Sequence, residues 1–201
     1  MNFNLRSALA AAAAAVAFAA PAMAHDVLYV ATLNGLNESP PNASPGVGGS
    51  FLTVNEDDFT IHVTAGFNGL SGTVTAGHIH CCTAVAGTGT AGVATPVPTF
   101  PGFPSGVTLG FYDAMFDMTL DSSWNPAFVT ANGGTTGTAF SALLLGLESG
   151  KAYINIHTTT FGGGEIRGFY SLAVVPEPET YALMLGGLGV VGWAARRRSA
   201  A

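Results

Sequence analysis

The 201-residue chain carries six Lys and Arg against twelve Asp and Glu, a formal net charge of −6, and only 9% of its residues are charged. Between the two termini Lys151 and Arg167 are the only basic residues. That excludes nucleic acid and anionic lipid as partners of the folded part, because both need clustered lysine and arginine. With both ends set aside roughly 150 residues remain, the size of one domain, able to bury a core without disulfide or metal staples.

The first segment reads as a secretory signal. Arg6 precedes an apolar run from Ala8 to Ala20, Pro21 breaks the run, and Ala22-Met23-Ala24 follows with small residues at the positions a signal peptidase reads. The run is short and mostly alanine, poor material for a retained membrane helix. Residues 1–24 are therefore expected to be removed between Ala24 and His25, leaving residues 25–175 as an exported domain.

Within that domain the periodicity is that of strands. Val27–Leu33, Ser50–Val54 and Phe59–Phe67 are short runs rich in β-branched and aromatic residues, separated by Gly, Pro and Asn clusters. Phe59, Ile61 and Val63 alternate with Thr60, His62 and Thr64, one face for the core and one for water. Thr73–Cys81, Gly110–Leu120, Lys151–His157 and Glu165–Val174 are further strands by the same reading. Thr95–Gly106 contains Pro96, Pro98, Pro101 and Pro104 and is expected to be a surface loop, since proline cannot donate to a sheet ladder. Two helices interrupt the strands. Asn125 caps Pro126–Ala131, with Asn132-Gly133 as its stop. Thr138–Leu147 places Phe140, Leu143, Leu144 and Leu147 on one stripe. The fold class these elements predict is all-β, an antiparallel sandwich or Greek-key barrel with helical crossovers.

The last segment, residues 176–201, mirrors the first. Pro176-Glu177-Pro178 is followed by an uncharged stretch from Tyr181 to Ala195 and then by Arg196, Arg197 and Arg198. The stretch is short for a membrane span of ~20 residues, but local thinning accommodates such a mismatch. The arginines hold the tail's end in the cytoplasm, with the domain on the far side. The order of these three features closely resembles the PEP-CTERM sorting signal of Gram-negative bacteria. The resemblance implies a transient inner-membrane anchor facing the periplasm and processing by an exosortase-type peptidase near the proline–glutamate motif. It further implies delivery to the cell surface or its exopolysaccharide matrix, where a polysaccharide or a surface protein is the expected partner.

Two histidines suggest chemistry. His78 and His80 are two apart on a predicted strand, so their side chains leave the same face with Cα atoms about 6.6 Å apart. That spacing lets them share one metal at ~2.0–2.1 Å from each ring nitrogen. His157 ends another predicted strand and is a candidate third ligand. Glu165 is a candidate fourth ligand, or a partner that orients an imidazole. The competing reading is that these histidines bond backbone and carboxylates at one end of the domain. Cys81-Cys82 follows the pair directly. A vicinal disulfide, thiolate ligands beside the histidines and intermolecular bridges all fit two cysteines in an oxidising compartment, with the vicinal bridge ranked first. His25, as a new N-terminus, carries the amine and imidazole nitrogens that suit copper, although an untethered end residue is the simpler reading. His62 lies on a wet face. Arg167 is expected to form a structural ion pair with Glu38. There is no Gly-x-Ser-x-Gly motif and no phosphate loop, and Gly162-Gly163-Gly164 leads into a strand.

The domain also resembles a family. Asn37-Glu38-Ser39-Pro40-Pro41, Gly77-His78-Ile79-His80, Tyr153-Ile154-Asn155-Ile156-His157-Thr158 and Gly163-Gly164-Glu165-Ile166-Arg167-Gly168 are similar to the motifs of the CHRD domain, named for chordin and recurrent in exported bacterial proteins. The resemblance implies an immunoglobulin-like or superoxide-dismutase-like β fold and no settled activity. Cys81-Cys82 departs from it, since many members carry glycine and proline there. The His-x-His strand with a distant histidine is similar to copper–zinc superoxide dismutase. The expectation is therefore a non-enzymatic surface or matrix protein whose domain binds or builds. The alternative is a copper- or zinc-binding protein or a metal-dependent oxidoreductase.

Overall fold

The computed structural model describes residues 26–173, 183–189, 191 and 196. Eight strands pair antiparallel in one sheet curled into a half-barrel: β1 (Asp26–Asn34), β2 (Val47–Asn55), β3 (Thr60–Asn68), β4 (Val74–His80), β5 (Gly110–Asp117), β6 (Tyr153–Thr158), β7 (Ile166–Phe169) and β8 (Ser171–Leu172). The spatial order is β4-β6-β7-β1-β2-β3-β5, with β8 also on β1. The fold is all-β, as the strand periodicity predicts.

One half of the sheet, β1-β2-β3-β5, is held by long unbroken ladders. Tyr29, Leu52, Val63 and Ala114 stand opposite one another across it. The alternation read from the sequence puts Leu33, Leu52, Val54, Ile61, Val63 and Phe67 inside. β3 starts one residue later than expected, because Phe59 has φ 52° and closes the turn before the strand. The other half, β4-β6-β7, contributes Ile79, Ile154, Ile156 and Ile166 to the same core. The two halves meet where Asn34 of β1 pairs with Arg167 of β7.

The strand expected over Glu165–Val174 is divided at that seam. The Tyr170 amide donates to Ala152 O, its hydroxyl meets Ser50 Oγ at 2.9 Å in the core, and the next two residues pair with β1. The chain thereby turns a corner from one half of the sheet to the other.

The helices are α1 (Pro126–Ala131) and α2 (Thr136–Glu148). Asn125 caps α1 by accepting from the Ala127 amide. Thr135 and Thr138 form a capping box that starts α2 two residues earlier than its apolar stripe suggests. Phe140, Leu143 and Leu147 of α2 are buried in the core.

The proline-rich segment is a loop, and it covers the edge that β4 would otherwise leave open. Cys81 N–H donates to Gly92 O, Ala94 N–H to Ile79 O, and Phe100 N–H to Gly77 O. Among the described residues no helix is long and apolar enough to cross a membrane; of the stretch Tyr181 to Ala195, residues 183–189 and 191 are described, helical and exposed.

Candidate metal centre

The outer face of β4-β6-β7 is polar, and register decides what meets there. His80 stands opposite Tyr153, which stands opposite Phe169; His78 stands opposite Asn155, which stands opposite Arg167; Ala76 stands opposite His157. Because side chains alternate along a strand, all of these except the core-facing intervening residues share one face. Loops lie over that face, and His78, His80, Tyr153, Asn155 and Arg167 are buried on it, with His78 6% and His80 7% exposed.

His78, His80 and His157 converge. One ring nitrogen from each lies within 4.8 Å of the other two. In each ring one nitrogen faces a backbone carbonyl: His78 Nε2 to Pro98 O, His80 Nδ1 to Ala91 O at 2.9 Å, and His157 Nδ1 to Gly162 O at 3.0 Å. A carbonyl only accepts, so each of those nitrogens is the N–H and the remaining nitrogen is a bare lone pair. Those remaining atoms, His78 Nδ1, His80 Nε2 and His157 Nε2, are buried and have no partner. This is the arrangement of metal-ligating histidines, whose second nitrogen donates to a fixed acceptor and sets the tautomer.

Burial keeps the rings neutral. Desolvation lowers the pKa of His78 and of His157, and it pushes His80 down to about 4, against the opposing pull of the Ala91 carbonyl. Neutral imidazoles are the form that ligates metal.

Glu165 is not part of this cluster. Its carboxylate is fully buried and accepts from Ser44 Oγ at 2.6 Å, the Ser71 amide at 2.5 Å, the Gly72 amide at 3.2 Å and Thr158 Oγ1 at 2.6 Å. Burial raises its pKa, but those four donors outweigh burial and the net shift is downward. Its oxygens are taken up in tying the chain near Ser44 and Ser71 to β6, so it neither ligates nor orients an imidazole.

Arg167 and Glu38 lie together, Nε to Oε2 3.8 Å, both almost wholly buried. The guanidinium hydrogen bonds go elsewhere: Nε donates to Asn37 O and Nη1 to Gly89 O at 2.8 Å. The carboxylate thus receives charge without a hydrogen bond from Arg167. Desolvation prevails over the arginine and pushes Glu38 up to about 7. The guanidinium also sits 4.8 Å from the Tyr153 ring centroid and 5.3 Å from that of Phe169.

Cys81 and Cys82 are bridged to each other across a cis peptide. Alternation turns Cys81 away from the histidine face, and the two sulfurs lie against Gly146 of α2. His62 is at the surface, 2.8 Å from Asp113. Ala24, His25, Pro176, Glu177, Pro178, Arg197 and Arg198 lie outside the described residues; of the arginine cluster Arg196 alone is described.

Sequence reasoning assigned no role to Tyr153 or Asn155. The signal was present: in Tyr153-Ile154-Asn155-Ile156-His157 the two share the parity of His157 and hence its face.

Residues 29–170 match the CHRD domain, and residues 174–198 match the PEP-CTERM protein-sorting motif. The chain belongs to the CHRD domain family, a non-catalytic domain family. The sorting motif implies export to the cell envelope or surface and processing by an exosortase-type system. Searches of curated proteins and of solved structures gave no significant match.

Proposed function

We propose that this exported protein is a non-catalytic binder of one zinc or copper ion, held by His78, His80 and His157. Its tail anchors it briefly in the inner membrane before an exosortase-type peptidase releases the domain to the surface. The observation that carries the metal reading is the convergence of three histidines, with a ring nitrogen of each within 4.8 Å of the other two, each ring fixed by a backbone carbonyl and left with one buried, unpartnered nitrogen. Leaving one buried polar atom unpaired costs about 1–3 kcal/mol, and three gathered in one place call for a shared occupant. Each is a lone pair, so the occupant is a cation. Imidazole donors suit zinc and copper. Zn–N bonds of about 2.0–2.1 Å draw the nitrogens to about 3.4 Å from one another, a contraction that small ring rotations supply.

Elemental analysis of the purified exported protein after dialysis against each metal tests this. One equivalent of zinc or copper is expected, and each of His78→Ala, His80→Ala and His157→Ala should lose it. A wild-type protein that holds no more metal than the triple variant rules the reading out.

A further inference from the structure

Five buried side-chain polar atoms lack a partner among the described residues: the three imidazole nitrogens, Asn155 Oδ1 and Glu38 Oε1. Register sets their residues in a row: His78 stands opposite Asn155, Asn155 opposite Arg167, and Arg167 beside Glu38. Asn155 stands directly opposite His78 and two residues along β6 from His157. A Cβ built on Gly164 falls 2.6 Å from Asn155 Nδ2, 2.7 Å from Asn155 Oδ1 and 2.8 Å from Glu38 Oε1, so the Asn155 amide and the Glu38 carboxyl flank a space that a side chain at 164 would fill. Gly164 has φ +132°, a conformation that also favours glycine. Asn155 is 3% and Glu38 7% exposed, so bulk water does not satisfy either.

Asn155 Oδ1 accepts hydrogen bonds, and so does Glu38 Oε1 in the ionised form that prevails above about pH 7. A zinc or copper ion with three nitrogen ligands has a fourth position to fill. We propose that this position holds a small ligand carrying hydrogen-bond donors, in the resting state one water, whose two O–H groups are accepted by Asn155 Oδ1 and Glu38 Oε1. The inference rests on the metal reading above. It makes Asn155 and Glu38 positioning residues that select the fourth ligand. Protic ligands such as water are favoured, and an anion without hydrogens, such as azide, meets two acceptors it cannot satisfy.

The test uses the exported protein loaded with Cu(II), with azide binding followed by its charge-transfer absorption and metal content checked in every variant. Asn155→Ala removes one acceptor and should tighten azide by about tenfold, within the range seen when groups next to a metal's ligands are changed. Asn155→Asp keeps an acceptor, adds negative charge, and should weaken azide relative to wild type. The opposite signs separate ligand selection from a loss of stability, which would move both variants the same way. If Asn155→Ala does not fold, Asn155→Asp and Gly164→Ala, which leaves all three imidazoles in place, carry the test; Gly164→Ala should displace both oxygens and tighten azide. Metal-loaded variants with the azide affinity of wild type overturn this inference and leave the tri-histidine centre standing. A wild-type protein that takes up no Cu(II) overturns both.

Discussion

The ring of Tyr153 lies parallel to that of His80, with 4.8 Å between centroids and 2° between planes. Tyr153 belongs to the middle strand of β4-β6-β7, so His80 is on one side of it and Arg167 on the other. The tyrosine hydroxyl also reaches Ala91, whose carbonyl fixes His80 Nδ1. Arg167 therefore acts on the histidine cluster through Tyr153 and through the loop it clamps at Gly89. This arrangement makes the only two basic residues of the domain unequal.

Arg167→Ala should destabilise the domain far more than Lys151→Ala. The arginine variant strands the Asn37 and Gly89 carbonyls and leaves Glu38 without its neighbour charge. Breaking a buried pair costs about 3–5 kcal/mol, whereas a partly exposed lysine stays within about 0.5 kcal/mol. Urea midpoints of the two variants compare them directly, and equal midpoints contradict a buried role for Arg167.

In the metal-free protein, His80→Phe should change stability by no more than about 1 kcal/mol. It removes an unpartnered buried nitrogen together with one hydrogen bond to Ala91, and it retains an aromatic ring against Tyr153. The same variant should lose the stabilisation conferred by zinc, which is about 2.7 kcal/mol when the free ion is at 100 times its Kd. Thermal melts with and without zinc give both quantities. A zinc-dependent rise in His80→Phe equal to that of wild type would show that the ion binds elsewhere.

The apo-domain should have opposed acid and neutral limbs in its stability profile. The histidines have folded pKa values below their ordinary 6.5, with His80 at about 4. The unfolded chain therefore binds more protons between those values, and stability falls as pH drops from about 6.5 toward about 4. Glu38 shifts the other way, to about 7 from 4.5. Its contribution is complete below about 4.5 and is lost as pH rises through about 7. Urea midpoints between about pH 4 and about pH 8 should show the acid limb reduced in His80→Phe and the neutral limb reduced in Glu38→Gln. Profiles that superimpose on wild type contradict the assignment.

Gly146→Ala should destabilise despite its place inside α2. Alanine gains about 1 kcal/mol of helix propensity over glycine, but a Cβ there falls 2.3 Å from Cys81 Sγ and 2.5 Å from Cys82 Sγ. Overpacking against a bridged pair costs about 1–3 kcal/mol, so the clash prevails. A variant more stable than wild type would mean that α2 is free to move off the disulfide.

Replacing Pro176-Glu177-Pro178 should leave an uncleaved form in the inner membrane, because the sorting motif at residues 174–198 would lose its recognition element. Deleting Arg196–Arg198 should weaken retention before cleavage, since a cluster of arginines beside an apolar stretch favours the cytoplasmic side of a membrane. Fractionation and the C-terminal mass of the released protein report the result. Both variants reaching the surface with the parent's C-terminus would dismiss the sorting role.

The sequence by itself determined what short-range physics fixes. Alternation named the strands, Asn125 and Pro126 set the start of α1, and the C-terminal end carried its own sorting motif. His78 and His80 share a face because they are two apart, whatever the rest of the chain does. Only the tertiary structure decided that His157 joins them, because β4 and β6 are separated by residues 81–152 and their pairing register is a long-range property. The same register drew Asn155 into the site and set Arg167 behind Tyr153. Glu165, close to the cluster in the motif, was lost to it because four nearby donors claim its carboxylate first. Parity along a strand is local, and which strands become neighbours depends on the packing of the whole core.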